Sequence, residues 1–179
     1  MKIDGEQIIA ASPEAVWKGL NDPEVLRQSI PGCKSLEQVN ASTYRATVET
    51  KIGPISATFN GDVELSDLDP PHGYTLSGRG SAGSMGSAKG VAKVRLTPEG
   101  AATKLIYDVD AQVTGKFAQL GARLIQGTAG ILAGQFFKRF GEVVAGPSAR
   151  PKADASNRLW LALALGAAVA AIAIYFLLR

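Results

Sequence analysis

The chain has 179 residues, 46% of them hydrophobic and 20% charged, with one cysteine, one histidine and a net charge of +3. A single cysteine excludes an internal disulfide and agrees with a reducing compartment. The positive excess is confined to residues 147–179, because fifteen cations and fifteen anions balance over residues 1–146. A body without a basic stripe is a poor nucleic-acid binder.

The opening MKIDGEQIIA has no long apolar run after its lysine, so no secretory leader is expected. Ile3, Gln7, Ile8 and Ile9 predict a first strand ending near Ala10. Ser12-Pro13-Glu14 and Asp22-Pro23-Glu24 are helix starts: a capping side chain, a proline at the first helical position and an acid in the first turn. The two short helices carry Val16, Trp17 and Leu20, then Val25, Leu26 and Ile30, and end in the turn Ile30-Pro31-Gly32-Cys33. Strands follow in series. Tyr44, Ala46, Val48, Thr50 and Ile52 alternate with polar residues, and after Gly53-Pro54 the alternation returns in Ile55, Ala57, Phe59, Gly61, Val63 and Leu65. Further strands are expected over 74–80, 88–96 and 103–113, the first two separated by a glycine- and serine-rich stretch, Ser81 to Ser87. Links this short favour antiparallel pairing.

From Lys116 the apolar period becomes helical: Phe117, Leu120, Leu124, Ile131, Phe136, Phe140 and Val144 fall at three- and four-residue steps or their multiples. The order predicts an α+β helix-grip fold, an antiparallel sheet wrapped around a long C-terminal helix. Gly121, Gly127, Gly130, Gly134 and Gly141 are placed inside that helix, each at a cost of about 1 kcal/mol relative to alanine. Two readings stay open: close helix–sheet contact, or space beneath a curved sheet. In the second, Tyr44, Val48, Phe59, Val63, Tyr107, Phe117, Leu120, Leu124 and Ile131 wall a cavity for a flat, apolar guest.

Residues 147–158, rich in Pro, Ala, Ser and charge, are expected to form a flexible linker with a reach of roughly 20 Å. Residues 159–178 are uncharged, and a helix of twenty residues spans about 30 Å, the thickness of a hydrocarbon core. Arg158 and Arg179 bracket this segment, and Trp160 and Tyr175 sit near its ends as interface anchors. The segment is expected to be a transmembrane tail anchor. Arg150, Lys152 and Arg158 against Asp154 place the body, residues 1–146, on the cytoplasmic side of the cell membrane.

Acid–base chemistry needs titratable groups gathered at one site, and the sequence offers few on apolar faces. His72 lies in a Pro-Pro-His-Gly turn, a solvated setting, and Cys33 follows a turn glycine as a small filler. No spacing suits a metal. Gly78-Arg79-Gly80-Ser81-Ala82-Gly83 is followed by a strand, whereas a phosphate cradle needs a helix start there, so it reads as a mobile hairpin near the cavity mouth.

Several local words occur together in order: Val16-Trp17 with Asp22-Pro23-Glu24, Ile30-Pro31-Gly32-Cys33, Lys51-Ile52-Gly53-Pro54-Ile55, Phe59-Asn60-Gly61, Asp69-Pro70-Pro71 with Tyr74-Thr75-Leu76, and Gly115-Lys116-Phe117-Ala118-Gln119-Leu120-Gly121. Spanning about residues 2–140, they resemble the CoxG family of carbon monoxide dehydrogenase subunits, within the polyketide cyclase/START-like (SRPBCC) superfamily. The resemblance implies a non-enzymatic domain with an apolar cavity and a membrane-attached C-terminus. It further implies a partner of the carbon monoxide dehydrogenase type, a molybdenum hydroxylase, and a quinone guest (menaquinone or ubiquinone) handled between enzyme and bilayer. A ligand-free recruitment adaptor is the alternative, and a cyclase or hydrolase a weaker one.

Overall fold

The computed structural model describes residues 1–146. The expected linker and apolar span, with Arg158, Trp160, Tyr175 and Arg179, lie outside the described residues. Among the described residues no helix is long and apolar enough to cross a membrane.

Strand β1 (Lys2–Ile9) leads into α1 (Pro13–Leu20) and α2 (Pro23–Ser29). Both helices begin as their capping residues dictate: the Ser12 hydroxyl accepts from the Ala15 amide at 3.3 Å, and the Asp22 carboxylate from the Glu24 amide at 2.9 Å. Six strands follow: β2 (Cys33–Gln38), β3 (Thr43–Ile52), β4 (Ile55–Asp69), β5 (Gly73–Ser81), β6 (Ser87–Glu99) and β7 (Ala102–Val113). With β1 they form one seven-stranded antiparallel sheet in the order β1-β7-β6-β5-β4-β3-β2. A 3-10 segment (Gly115–Leu120) leads to the long helix α3 (Ala122–Ala145), and the fold is the expected helix-grip arrangement of α+β type.

Two elements depart from the sequence expectation. Strand β2 is an addition, because a register shift between Cys33 and Ser35 breaks its alternation and leaves Leu36 as its one large apolar residue. Gly121 is not inside the long helix. At φ +84° it sets off the 3-10 segment, so Phe117 and Leu120 precede α3.

Large side chains fill only one half of the sheet's inner face. Ile9, Tyr44, Leu65, Tyr74, Val94, Leu96 and Leu105 form one buried cluster with Val16 and Leu20 of α1 and Phe140 of α3. Helix α1 meets α3 so closely that a Cβ on Gly19 would lie 2.6 Å from Val144 and 3.1 Å from Phe140. An aromatic run extends the cluster, Tyr107 stacking on Phe137 and Phe136 on Phe140 at centroid distances of 5.6 and 5.5 Å. Gly127, Gly130, Gly134 and Gly141 do not serve close helix–sheet contact: a Cβ at any of them meets nothing within 4 Å.

Candidate functional site

The other half of the inner face has a floor of small residues. Strand side chains alternate between faces, so the register puts Ala46, Gly61, Gly80 and Ala88 in one cross-strand row. Gly78, Gly90 and Ala111 share the next inner-face row with Val63. With Val48, Phe59, Leu76, Ala92 and Val109 they line an open chamber of about 410 Å³. Arg79, Lys89 and Val91 border it as well, but alternation turns their side chains to the opposite face. The inner-face lining is therefore Gly, Ala, Val, Leu and Phe alone.

Removal of side chains creates this space in two ways. At Gly90 a Cβ would lie 2.8 Å from the Asp110 carbonyl oxygen and 3.2 Å from the Ala111 Cα, so close strand approach itself requires glycine there. At Gly78 and Gly80 the nearest atoms to a Cβ would be side-chain carbons of Val63 at 3.6 Å and Phe59 at 3.7 Å, ordinary contact distances. Larger residues fit the backbone at both positions, and their absence leaves the chamber open.

The expected wall residues separate. Val48, Phe59 and Val63 line the chamber. Phe117 is buried behind it, its ring 5.1 Å from that of Phe59, and Leu120 is half-buried in the same 3-10 segment. Tyr44 and Tyr107 belong to the packed half: the Tyr44 hydroxyl donates to the Asn21 carbonyl at 3.2 Å, and Tyr107 is held by Phe137. Leu124 and Ile131 do not overlook the chamber. They flank a separate groove of about 520 Å³ with Lys51, Gly53, Thr128 and Leu132, between α3, the β3–β4 turn and the end of α2. Sequence reasoning missed the Gly and Ala floor, although its period-two spacing in 78–80 and 88–92 is the available signal. The mobile hairpin expected from those glycines is instead regular strand on both sides of a tight 3-10 turn at Gly83–Met85.

Ionisable groups stand elsewhere. Burial raises the Tyr74 and Tyr44 hydroxyls above their ordinary range, and burial likewise raises the Cys33 thiol, whose sulfur lies 3.4 Å from the Ser35 carbonyl. His72 is exposed on its turn, 3.5 Å from the Asp69 carboxylate. Among the described residues no group of His, Cys, Asp and Glu side chains is arranged to hold a metal ion. A depression of about 800 Å³ is on the outer face, and its mixed lining includes the Arg45–Asp62 pair at 2.9 Å. What the chamber offers is apolar surface and room.

No curated protein matches the sequence. Among solved structures, a conserved protein from Geobacillus kaustophilus is similar at 32% identity and a TM-score of 0.77, over 81% of this chain and 95% of its own. A START superfamily protein from Mycobacterium smegmatis shares the fold at 19% identity and a TM-score of 0.62, over 80% of this chain and 96% of its own. A protein from Chromobacterium violaceum does so at 15% identity and a TM-score of 0.62, over 81% and 97%. The CoxG family of carbon monoxide dehydrogenase subunits matches residues 5–145, the whole body from β1 to the last turn of α3, and the chain belongs to that family.

Proposed function

We propose that this protein is a non-enzymatic accessory subunit that carries a flat apolar guest, a quinone such as menaquinone or ubiquinone, between the bilayer and a molybdenum hydroxylase of the carbon monoxide dehydrogenase type. The observation that carries this reading is the chamber's composition: one half of the inner face is packed with large side chains, and the other has a Gly and Ala floor between Val48, Phe59, Val63, Leu76 and Val109. Apolar surface left facing water forgoes about 25 cal/mol per Å² of burial. Two of its glycines are not demanded by the backbone, so the space is retained against that cost. Its volume falls within the roughly 300–1,000 Å³ of small-molecule sites, and a planar ring lies naturally on a floor without side chains. No inner-face side chain of the lining offers a proton donor or acceptor, which favours carriage over cyclase or hydrolase chemistry. The expected tether would raise the effective concentration of the body at the bilayer.

The test is lipid extraction and mass spectrometry of the purified protein and its Gly78→Leu variant. The wild type is expected to carry a quinone, and the variant to lose it at unchanged melting temperature because its Cβ has room. Equal retention by both proteins would remove the chamber from guest binding. An empty wild type that still captures the hydroxylase would establish the ligand-free adaptor instead.

A further inference from the structure

The neutral body is electrically two-ended. Strand register gathers the β3–β4 turn, the β5–β6 turn, the 3-10 segment and the start of α3 at one end. Leu124 approaches Gly53 there, and Phe117 packs on Phe59. Lys34, Lys51, Lys116 and Arg123 occupy this end, where the acids are already engaged: Lys34 holds Glu49 at 2.9 Å and the N-terminal ammonium lies 3.7 Å from Asp110. Among the described residues, Lys51, Lys116 and Arg123 are exposed and pair with no carboxylate. Exposed acids stand at the opposite end, Asp67, Asp69 and Glu99 near the other strand turns and Glu14 at a helix start.

Large apolar side chains are uncovered at the cationic end. Ile131 is 64% exposed and Leu124 39%, on the groove they share with Lys51 and with Glu49, the acid that Lys34 holds. Exposed Leu68 differs in setting, standing between Asp67 and Asp69 at the acidic end. Apolar side chains at the same end as unpaired cations combine insertion with attraction to anionic headgroups. The three cations come from three separate elements, β3, the 3-10 segment and α3. That pattern suits a laterally mobile, planar charge rather than a shaped protein partner.

We propose that this end of the body docks on an anionic lipid bilayer, with Leu124 and Ile131 entering the acyl boundary and Lys51, Lys116 and Arg123 lying at phosphate level. The acidic end then faces away from the surface, and Val48 and Phe59 are the chamber walls nearest the lipid. This orientation is independent of the guest's identity. A body that takes up quinone and ignores vesicles would overturn the docking surface and leave the carrier reading standing.

The experiment uses residues 1–146, which have their own core and match the separately solved Geobacillus protein over 95% of its length. The expected span is left out because it would enter any vesicle. Co-sedimentation is expected with phosphatidylglycerol-containing vesicles, not with pure phosphatidylcholine, and is expected to weaken at high salt. Lys51→Glu with Arg123→Glu should weaken binding at least about tenfold, as should Leu124→Gln with Ile131→Gln, both with unchanged circular dichroism. Lys138→Glu with Arg139→Glu makes the same change in net charge on the far half of α3 and should leave binding intact. Absence of binding at low salt, equal loss in both charge-reversed pairs, or full binding by the glutamine pair would each overturn the proposal. So would a dimer that the glutamine pair converts to monomer in the absence of vesicle binding.

Discussion

Gly78 and Gly90 face each other across β5 and β6, yet they are glycine for different reasons. A methyl at Gly90 runs into the backbone of β7, so Gly90→Ala should cost about 1–3 kcal/mol, read as a lower denaturant midpoint. A methyl at Gly78 meets only Val63 at 3.6 Å and, at 4.0 Å, the Asp62 carbonyl oxygen, and Gly78→Ala should be neutral or stabilising by up to about 1 kcal/mol through the unfolded chain. Opposite signs at paired positions would separate room needed by the fold from room kept for a guest. Glu24 gives a second test at this scale. Hydrogen bonds from Arg27 and Gln28 hold its carboxyl at about 2, below the ordinary 4.5. A depressed folded value stabilises above the unfolded one and is lost as pH falls through the folded one. The melting-temperature gap between wild type and Glu24→Gln should therefore be full near neutrality and close as pH falls from about 4.5 to about 2.

Among the elements, α1 and α2 carry their boundaries in single residues. Ser12→Ala and Asp22→Ala should each cost about 1 kcal/mol in thermal or denaturant unfolding, since each removes an acceptor for an amide of the first turn. Such local signals are legible in the sequence because capping acts over three residues, and the alternation of β3 and β4 is legible because one face is wet. Strand β2 is not, since a bulged edge strand has no clean period. The chamber is half legible. Val48, Phe59 and Val63 stand out as large residues on an apolar face, but hydrophobic periodicity is blind to glycine, and a floor made by absent side chains emerges only when the strands are set in register. Leu124 and Ile131 are misplaced by the sequence for a related reason. Helical spacing identifies a shared stripe without saying whether sheet, turn or solvent lies opposite it.

At the scale of the molecule, the separation of charge and the expected anchor act on different clocks. Loss of residues 159–179 should turn a protein that needs detergent for extraction into one that a high-salt wash releases, as fractionation with and without salt would show. A truncated body that resists the wash would mean insertion by the body alone, without need of its cations. The sheet order also has a consequence for biogenesis. Its first strand has a single sheet partner, β7, with Lys2 opposite Asp110 and Ile9 opposite Thr103. At about 5–20 residues per second, the nascent chain carries that unpaired edge for on the order of 5–20 s before its seam can be synthesised. Pairing so distant in sequence also slows the final closure. During that interval the ribosome displays an open strand and a half-built apolar face, a period of exposure in which holdase chaperones have their longest access to the chain.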